Sequence, residues 1–134
     1  MYKVTIKQSF SAAHALKEVA GMCEKLHGHN FAVEVSLFSH TLNDAGIVID
    51  FNVLKEWTNE ILKEFDHTCL NELSYFNDLN PSAENIAKFI HDRIMERAKG
   101  QNIDAVCVNI WESENTGASY SKCQDPFPEA SKLI

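Results

Sequence analysis

The 134-residue chain is long enough to bury one hydrophobic core and short for two domains. Hydrophobic residues make up 45% of it and charged residues 23%, which excludes a disordered, fibrous or repetitive chain. A formal net charge of −7, with Arg93 and Arg97 the only arginines, excludes a broad nucleic-acid face, because such a face needs a basic surface to displace counterions.

No apolar run approaches the roughly 18 residues of a membrane span. The first ten residues alternate polar and apolar, whereas a secretory signal needs a continuous apolar stretch. The expected compartment is the cytoplasm, without membrane or nucleic-acid partners. There Cys23, Cys69, Cys107 and Cys123 read as thiols rather than as a disulfide framework.

In chain order, Tyr2, Val4 and Ile6 alternate with polar neighbours and predict a first strand. An irregular, histidine-rich segment from His14 to Asn30 follows, and then a second strand with Phe31, Val33, Val35 and Leu37 on one side. A turn at Asn43-Asp44-Ala45-Gly46 and an apolar Ile47-Val48-Ile49 lead to Asp50, which with Asn52 is a candidate helix cap. Val53, Trp57, Ile61 and Phe65 recur at helical spacing, flanked by Leu54 and Leu62. A second helix is expected from Pro81-Ser82, with Ile86, Phe89, Ile90 and Ile94 as its buried stripe and Gly100 as terminator. His91 falls opposite that stripe and, like His40, is expected at the surface.

Val106, Val108 and Ile110 predict a third strand, and Ala118 to Lys122 a fourth, joined by a turn at Thr116-Gly117. The order ββααββ implies an α+β fold, a four-stranded antiparallel sheet with two helices on one face. One domain is expected over residues 1–123, with residues 124–134 as a C-terminal tail.

His27-Gly28-His29 is the sharpest local feature. In extended backbone, residues i and i+2 share a face, so both imidazoles can reach one ion, and His14 at the end of the first strand can add a third nitrogen. Three histidines leave a tetrahedral zinc position open, the mark of a catalytic site. Cys23 could be a fourth ligand, an inert thiol, or an acid/base group next to a cation. Asp66-His67 reads either as a proton relay or as helix-end solvation. Glu112 ends an apolar strand and is either a solvated charge or an acceptor for a guanidine-like heterocycle edge. Lys25 reads as a solvated loop lysine or a phosphate contact.

Together these pieces resemble a known family, the 6-pyruvoyl- and 6-carboxy-tetrahydropterin synthases. The resemblance runs from Phe10 to about Tyr120 and rests on Phe10-Ser-Ala-Ala-His14, Cys23-x-x-x-His27-Gly28-His29-Asn30 and Gly46-Ile-Val-Ile-Asp50-Phe51. Asp66-His67 with Leu70-Asn71, Asn80-Pro81-Ser82-Ala83-Glu84, and Glu112 before Thr116-Gly117 complete it.

The resemblance implies the tunnelling fold, a ring-built homohexamer with active sites between subunits, and a pterin triphosphate substrate. It also implies zinc on His14, His27 and His29, Cys23 as catalytic base, Asp66 and His67 as proton shuttle, and Glu112 as anchor of the pterin ring. The three residues between Cys23 and His27 resemble the carboxy branch, which converts 7,8-dihydroneopterin triphosphate to 6-carboxytetrahydropterin, acetaldehyde and triphosphate on the way to queuosine and related deazapurines. The alternatives are 6-pyruvoyl-tetrahydropterin synthesis and a non-catalytic zinc domain closed by Cys23. Ser113-Glu114-Asn115 is more polar and acidic than the family pattern.

Overall fold

Alternation of side chains carries the two long strands further than their apolar patterns suggest. In the computed structural model, which describes residues 1–19 and 21–122, β1 is Tyr2–His14 and β2 is His27–Ser39. They pair antiparallel without a break from Tyr2↔Ser39 to His14↔His27. The histidine-rich segment is therefore irregular only over residues 15–26, and His27 to Asn30 belongs to β2. Those polar residues lack an apolar alternation, and the small Ser11, Ala12 and Ala13 opposite complete the ladder.

After the Asn43–Gly46 turn, Asp50 accepts the Asn52 N–H and caps α1, Phe51–Leu62. The short strand β3, Thr68–Cys69, comes next, then two 3-10 turns, and α2 spans Ala83–Ala98 behind the Ser82 cap. Strands β4, Ala105–Trp111, and β5, Gly117–Ser121, close the order. The sheet runs β3-β1-β2-β4-β5. It has five strands rather than the expected four, and β3 pairs parallel to β1. Two residues are too few to carry a periodic signal.

Phe10, Phe31, Val35, Val108 and Ile110 from one sheet face pack with Leu54, Ile61, Ile86, Ile90 and Ile94 from the helices. The other face carries polar groups such as Lys7 and Glu34, 3.6 Å apart. Both helices thus lie on one face, as the element order implies.

Two details differ from the sequence reading. On α1 the buried stripe is Leu54, Thr58, Ile61 and Leu62, whereas Val53 is exposed and Phe65 is buried beyond the helix end. Thr58 suits that stripe because its hydroxyl donates to the Leu54 carbonyl at 2.8 Å. On α2, His91 is buried, not at the surface. Strand β5 covers that flank, with the Tyr120 ring 4.8 Å from His91, and Asp92 meets His91 Nδ1 at 3.0 Å. His40 is exposed beside Asp104, as expected. The expected tail, residues 124–134, and Cys123 lie outside the described residues.

Gly117 opens β5 where the backbone crosses the Trp111 ring. A Cβ there would stand 2.6 Å from Trp111 Cε3 and 2.8 Å from the Ile110 carbonyl oxygen. Gly117→Ala is expected to destabilise the fold by about 1–3 kcal/mol, the usual cost of overpacking. A thermal melt checks this, and an unchanged midpoint would show that β5 shifts freely.

Candidate functional site

The register of the β1–β2 ladder gathers three histidines. His14 sits opposite His27 and Ala12 opposite His29, so the three side chains leave one face of two neighbouring strands. Their rings lie 4.9, 5.2 and 4.8 Å apart, and one nitrogen from each falls within 4.8 Å of the others. Phe31 forms the floor, 5.4 Å from both the His14 and His29 rings and itself stacked on Phe10.

Backbone carbonyls orient two of the rings. His14 Nδ1 lies 2.7 Å from the Pro81 oxygen, and His27 Nδ1 lies 2.7 Å from the Lys25 oxygen. A carbonyl only accepts, so each Nδ1 donates and each Nε2 keeps its lone pair. His14 Nε2 is buried without a hydrogen-bond partner. Glu112 Oε1, at 3.8 Å, is beyond hydrogen-bond reach. A buried polar nitrogen left unpaired is costly, and a metal ion at the centre of the cluster satisfies it. Burial, reinforced by His14 and His27 and opposed by Glu112, holds the His29 pKa below its ordinary value. A neutral ring is the form a metal ligand requires. The donor set fits a metal ion with three nitrogens. Cys23 is exposed on the loop and is not part of this cluster.

Glu112 follows β4 directly and continues the parity of Val108 and Ile110, which puts it on the histidine face. Its N–H donates to the Thr116 carbonyl at 3.0 Å, and its side chain borders a cleft with Leu16, Glu84 and Thr116. Lys25 contributes its carbonyl to His27, a role no side-chain pattern announces.

Asp66 and His67 dock elsewhere, on the outer edge of β1. Ser11 N–H donates to Asp66 Oδ1 at 2.9 Å, and His67 N–H donates to the Ser11 carbonyl. His67 takes φ +60°, a strained conformation for a side-chain-bearing residue, and its Nδ1 lies 3.0 Å from Asp66 Oδ2. The Ser11 N–H, followed by His67, holds the Asp66 carboxyl below its usual range. His67 is 82% exposed and lines a cleft with Ser11, Ala13, Gly28, Asn30 and His29. Ser11, Ala13, Gly28 and Asn30 alternate with His14, His27 and His29, so they face the uncovered side of the sheet. One chain therefore carries the three histidine side chains and Glu112 on one face and the Asp66–His67 pair at the sheet edge, where a single cleft borders both His67 and His29. Ser11 and Pro81, which hold these groups through backbone atoms, carry no chemical signal in the sequence.

Fold and site together define an α+β protein with three clustered histidines that could hold a metal ion at the end of a long hairpin. The family model described as 6-pyruvoyl tetrahydropterin synthase matches residues 3–123, and the chain belongs to that family. It is 42% identical over 105 residues to a putative 6-carboxy-5,6,7,8-tetrahydropterin synthase of Archaeoglobus fulgidus, covering 78% of this chain and 84% of the relative. It is 35% identical over 115 residues to the dihydroneopterin monophosphate aldolase of Pyrococcus furiosus, covering 86% and 93%. Among solved structures, the 6-pyruvoyl tetrahydropterin synthase of Plasmodium falciparum shares the fold, with a TM-score of 0.75 at 23% identity over 92% of this chain and 98% of that one.

Elemental analysis of the purified chain is expected to find one metal ion per chain, and His27→Ala or His29→Ala to lose it. Full occupancy in both variants would dissolve the site. The lowered His29 pKa sets the sign of the pH dependence. The ring keeps its neutral form to lower pH than an ordinary histidine, so proton competition is expected to release the ion on acidification, not on raising the pH. A metal-release titration that begins in the alkaline range would contradict this.

Proposed function

We propose that this chain is a zinc-dependent 6-carboxy-5,6,7,8-tetrahydropterin synthase. It would convert 7,8-dihydroneopterin triphosphate and water to 6-carboxytetrahydropterin, acetaldehyde and triphosphate, a lyase reaction that feeds queuosine and related deazapurines. The carrying observation is an open three-histidine cluster with Glu112 beside it, in a chain 42% identical to a relative bearing that name.

His14, His27 and His29 would hold the zinc, which when bound supplies a Lewis acid that eases ionisation of the substrate's side-chain hydroxyls. Glu112 accepts two hydrogen bonds from the amino-pyrimidine edge of the pterin and fixes the ring, a positioning effect. Cys23, as thiolate, takes a proton from the side-chain carbon next to the ring. His67, its ring oriented by the ionised Asp66, returns protons as the side chain is cleaved. Both arginines are engaged by carboxylates on or just after α1, Arg93 by Glu64 and Arg97 by Glu60. The triphosphate therefore depends on lysines and on the metal charge.

The Asp66–His67 pair serves the site of a neighbouring copy in this reading, within a homohexamer whose active sites lie between subunits. Its support is the edge of β1. Strand β3 covers only Ala12 and Ala13 there, and the rest has no strand partner among the described residues. An open edge of that length calls for pairing with another chain. The cytoplasm suits the free thiols of Cys23, Cys69 and Cys107.

A second reading has a specific observation behind it, the 35% identity to a dihydroneopterin monophosphate aldolase. Incubation of the zinc-loaded chain with dihydroneopterin triphosphate, and separately with dihydroneopterin monophosphate, followed by mass spectrometry, separates the readings. The expected products are 6-carboxytetrahydropterin and acetaldehyde. A 6-pyruvoyl product without acetaldehyde, or a 6-hydroxymethyl product from the monophosphate, would move the chain to another branch. Cys23→Ala is expected to keep its metal and lose about 10²–10⁴-fold in turnover. Metal loss in that variant would make Cys23 a ligand instead.

Shared sites have their own test. Cys23→Ala and His67→Ala chains, each inactive alone, should regain turnover when co-assembled, because some sites then receive both intact residues. Mixed assemblies that stay inactive would place both residues in one chain's site.

A further inference from the structure

Residues 15–26 join His14 to His27, a long link between two directly paired strands, and Cys23 rides near its far end. Its described residues are half-buried at Ala15 and Leu16 and exposed beyond, yet the backbone is held at several points. Ala15 N–H donates to Asn71 Oδ1 at 2.9 Å, and Asn71 Nδ2 donates back to the Ala15 carbonyl at 2.8 Å. Lys17 N–H donates to Asn80 Oδ1 at 2.8 Å, and Asn80 Nδ2 donates to the Lys17 carbonyl at 2.9 Å. A side-chain amide presents the same donor and acceptor as a peptide unit. Two asparagines thus stand in for the strand that β1 lacks beyond His14.

Leu16 lies between the two gripped residues and points its own backbone groups the other way. Its N–H donates to Glu24 Oε1 at 3.0 Å, and the Glu24 N–H donates to the Leu16 carbonyl at 2.9 Å. Glu24 is the immediate neighbour of Cys23. Asn80 is anchored in turn, because Asn85 Nδ2 donates to its carbonyl at 2.8 Å from the first turn of α2. The next carbonyl, that of Pro81, holds the His14 ring. One short segment, fixed to α2, therefore aligns a histidine of the metal cluster and the loop that carries the thiol.

We propose that Asn71 and Asn80 are positioning residues for the reaction: through Ala15, Lys17, Leu16 and Glu24 they set where the Cys23 thiol stands relative to the three histidines. This rests on the reading of Cys23 as the base. Proton abstraction demands that the thiolate reach one carbon of a substrate held at the metal, and a displacement of an ångström is enough to cost rate.

The test compares Asn71→Asp and Asn80→Asp, which keep shape and acceptor but lose the donor, with Asn71→Leu and Asn80→Leu, which lose both. Metal per chain, kcat, KM and the peptide-resolved rate of Cys23 alkylation by iodoacetamide are measured in each folded chain. The leucine variants are expected to lose about 10- to 100-fold in kcat and the aspartates less, with KM and metal content little changed. The Cys23 alkylation rate should move toward that of the urea-unfolded chain in the same order. Wild-type kcat in the leucine variants, or a fall in kcat with Cys23 alkylation unmoved, overturns the proposal. Metal loss with alkylation unmoved overturns it too and transfers the role to His14. If a leucine variant does not fold, the aspartates decide by the same readouts. Alkylation needs no substrate. If the wild-type chain consumes no pterin, the functional reading fails on its own and the positioning is still decided.

Discussion

The register of one antiparallel ladder is the constraint on which the rest depends. His14 opposite His27, with His29 two residues on, puts three imidazoles on a single face. A slip of one residue would send His27 and His29 to the polar side and leave His14 alone in the core. The register is held by what lies further along the same strands. Ile6, Phe10, Phe31, Val33, Val35 and Leu37 are all buried, so any slip would expose the centre of the core. The histidine cluster at one end of the hairpin is thus secured by hydrophobic burial along its length. Phe31 belongs to both, as a core residue without exposed surface and as the floor under two histidines.

Two of the candidate side chains are oriented by a backbone atom from a distant element. Pro81 aims His14 across 67 positions of sequence, and Ser11 takes hold of Asp66 across 55. Hydrogen bonds of this kind contribute about 1 kcal/mol each to stability, and their larger effect is on geometry. They fix which nitrogen of a histidine faces the cluster, and they hold His67 in a backbone conformation it would otherwise leave.

Much of this was legible in the sequence, and what escaped has physical reasons. The strands with alternating apolar residues, both helices and the cap at Asp50 follow from periodicity and capping chemistry. Convergence of His14 with His27 and His29 follows from strand parity once the hairpin is drawn. Strand β3 escaped because two residues have no period. His91 was misplaced because a single-stripe reading of α2 ignores the second wall that β5 provides. The four-residue spacing that begins at Val53 fits two adjacent stripes of α1, and Leu54 with Ile61 claims the core. The docking of Asp66–His67 on β1 escaped because the grip is on main-chain atoms, which every residue possesses.

The unequal burial of the three histidines bears on how an ion enters and leaves. His14 is 1% exposed, whereas His27 and His29 are partly open to solvent. An ion taken up from water would meet the two outer rings first and lose its last inward water only on reaching His14. Its departure would run in the opposite order and re-wet the deepest nitrogen while that ring stays pinned to Pro81. A burial gradient across three otherwise similar ligands would therefore slow exchange of a bound ion at its innermost contact.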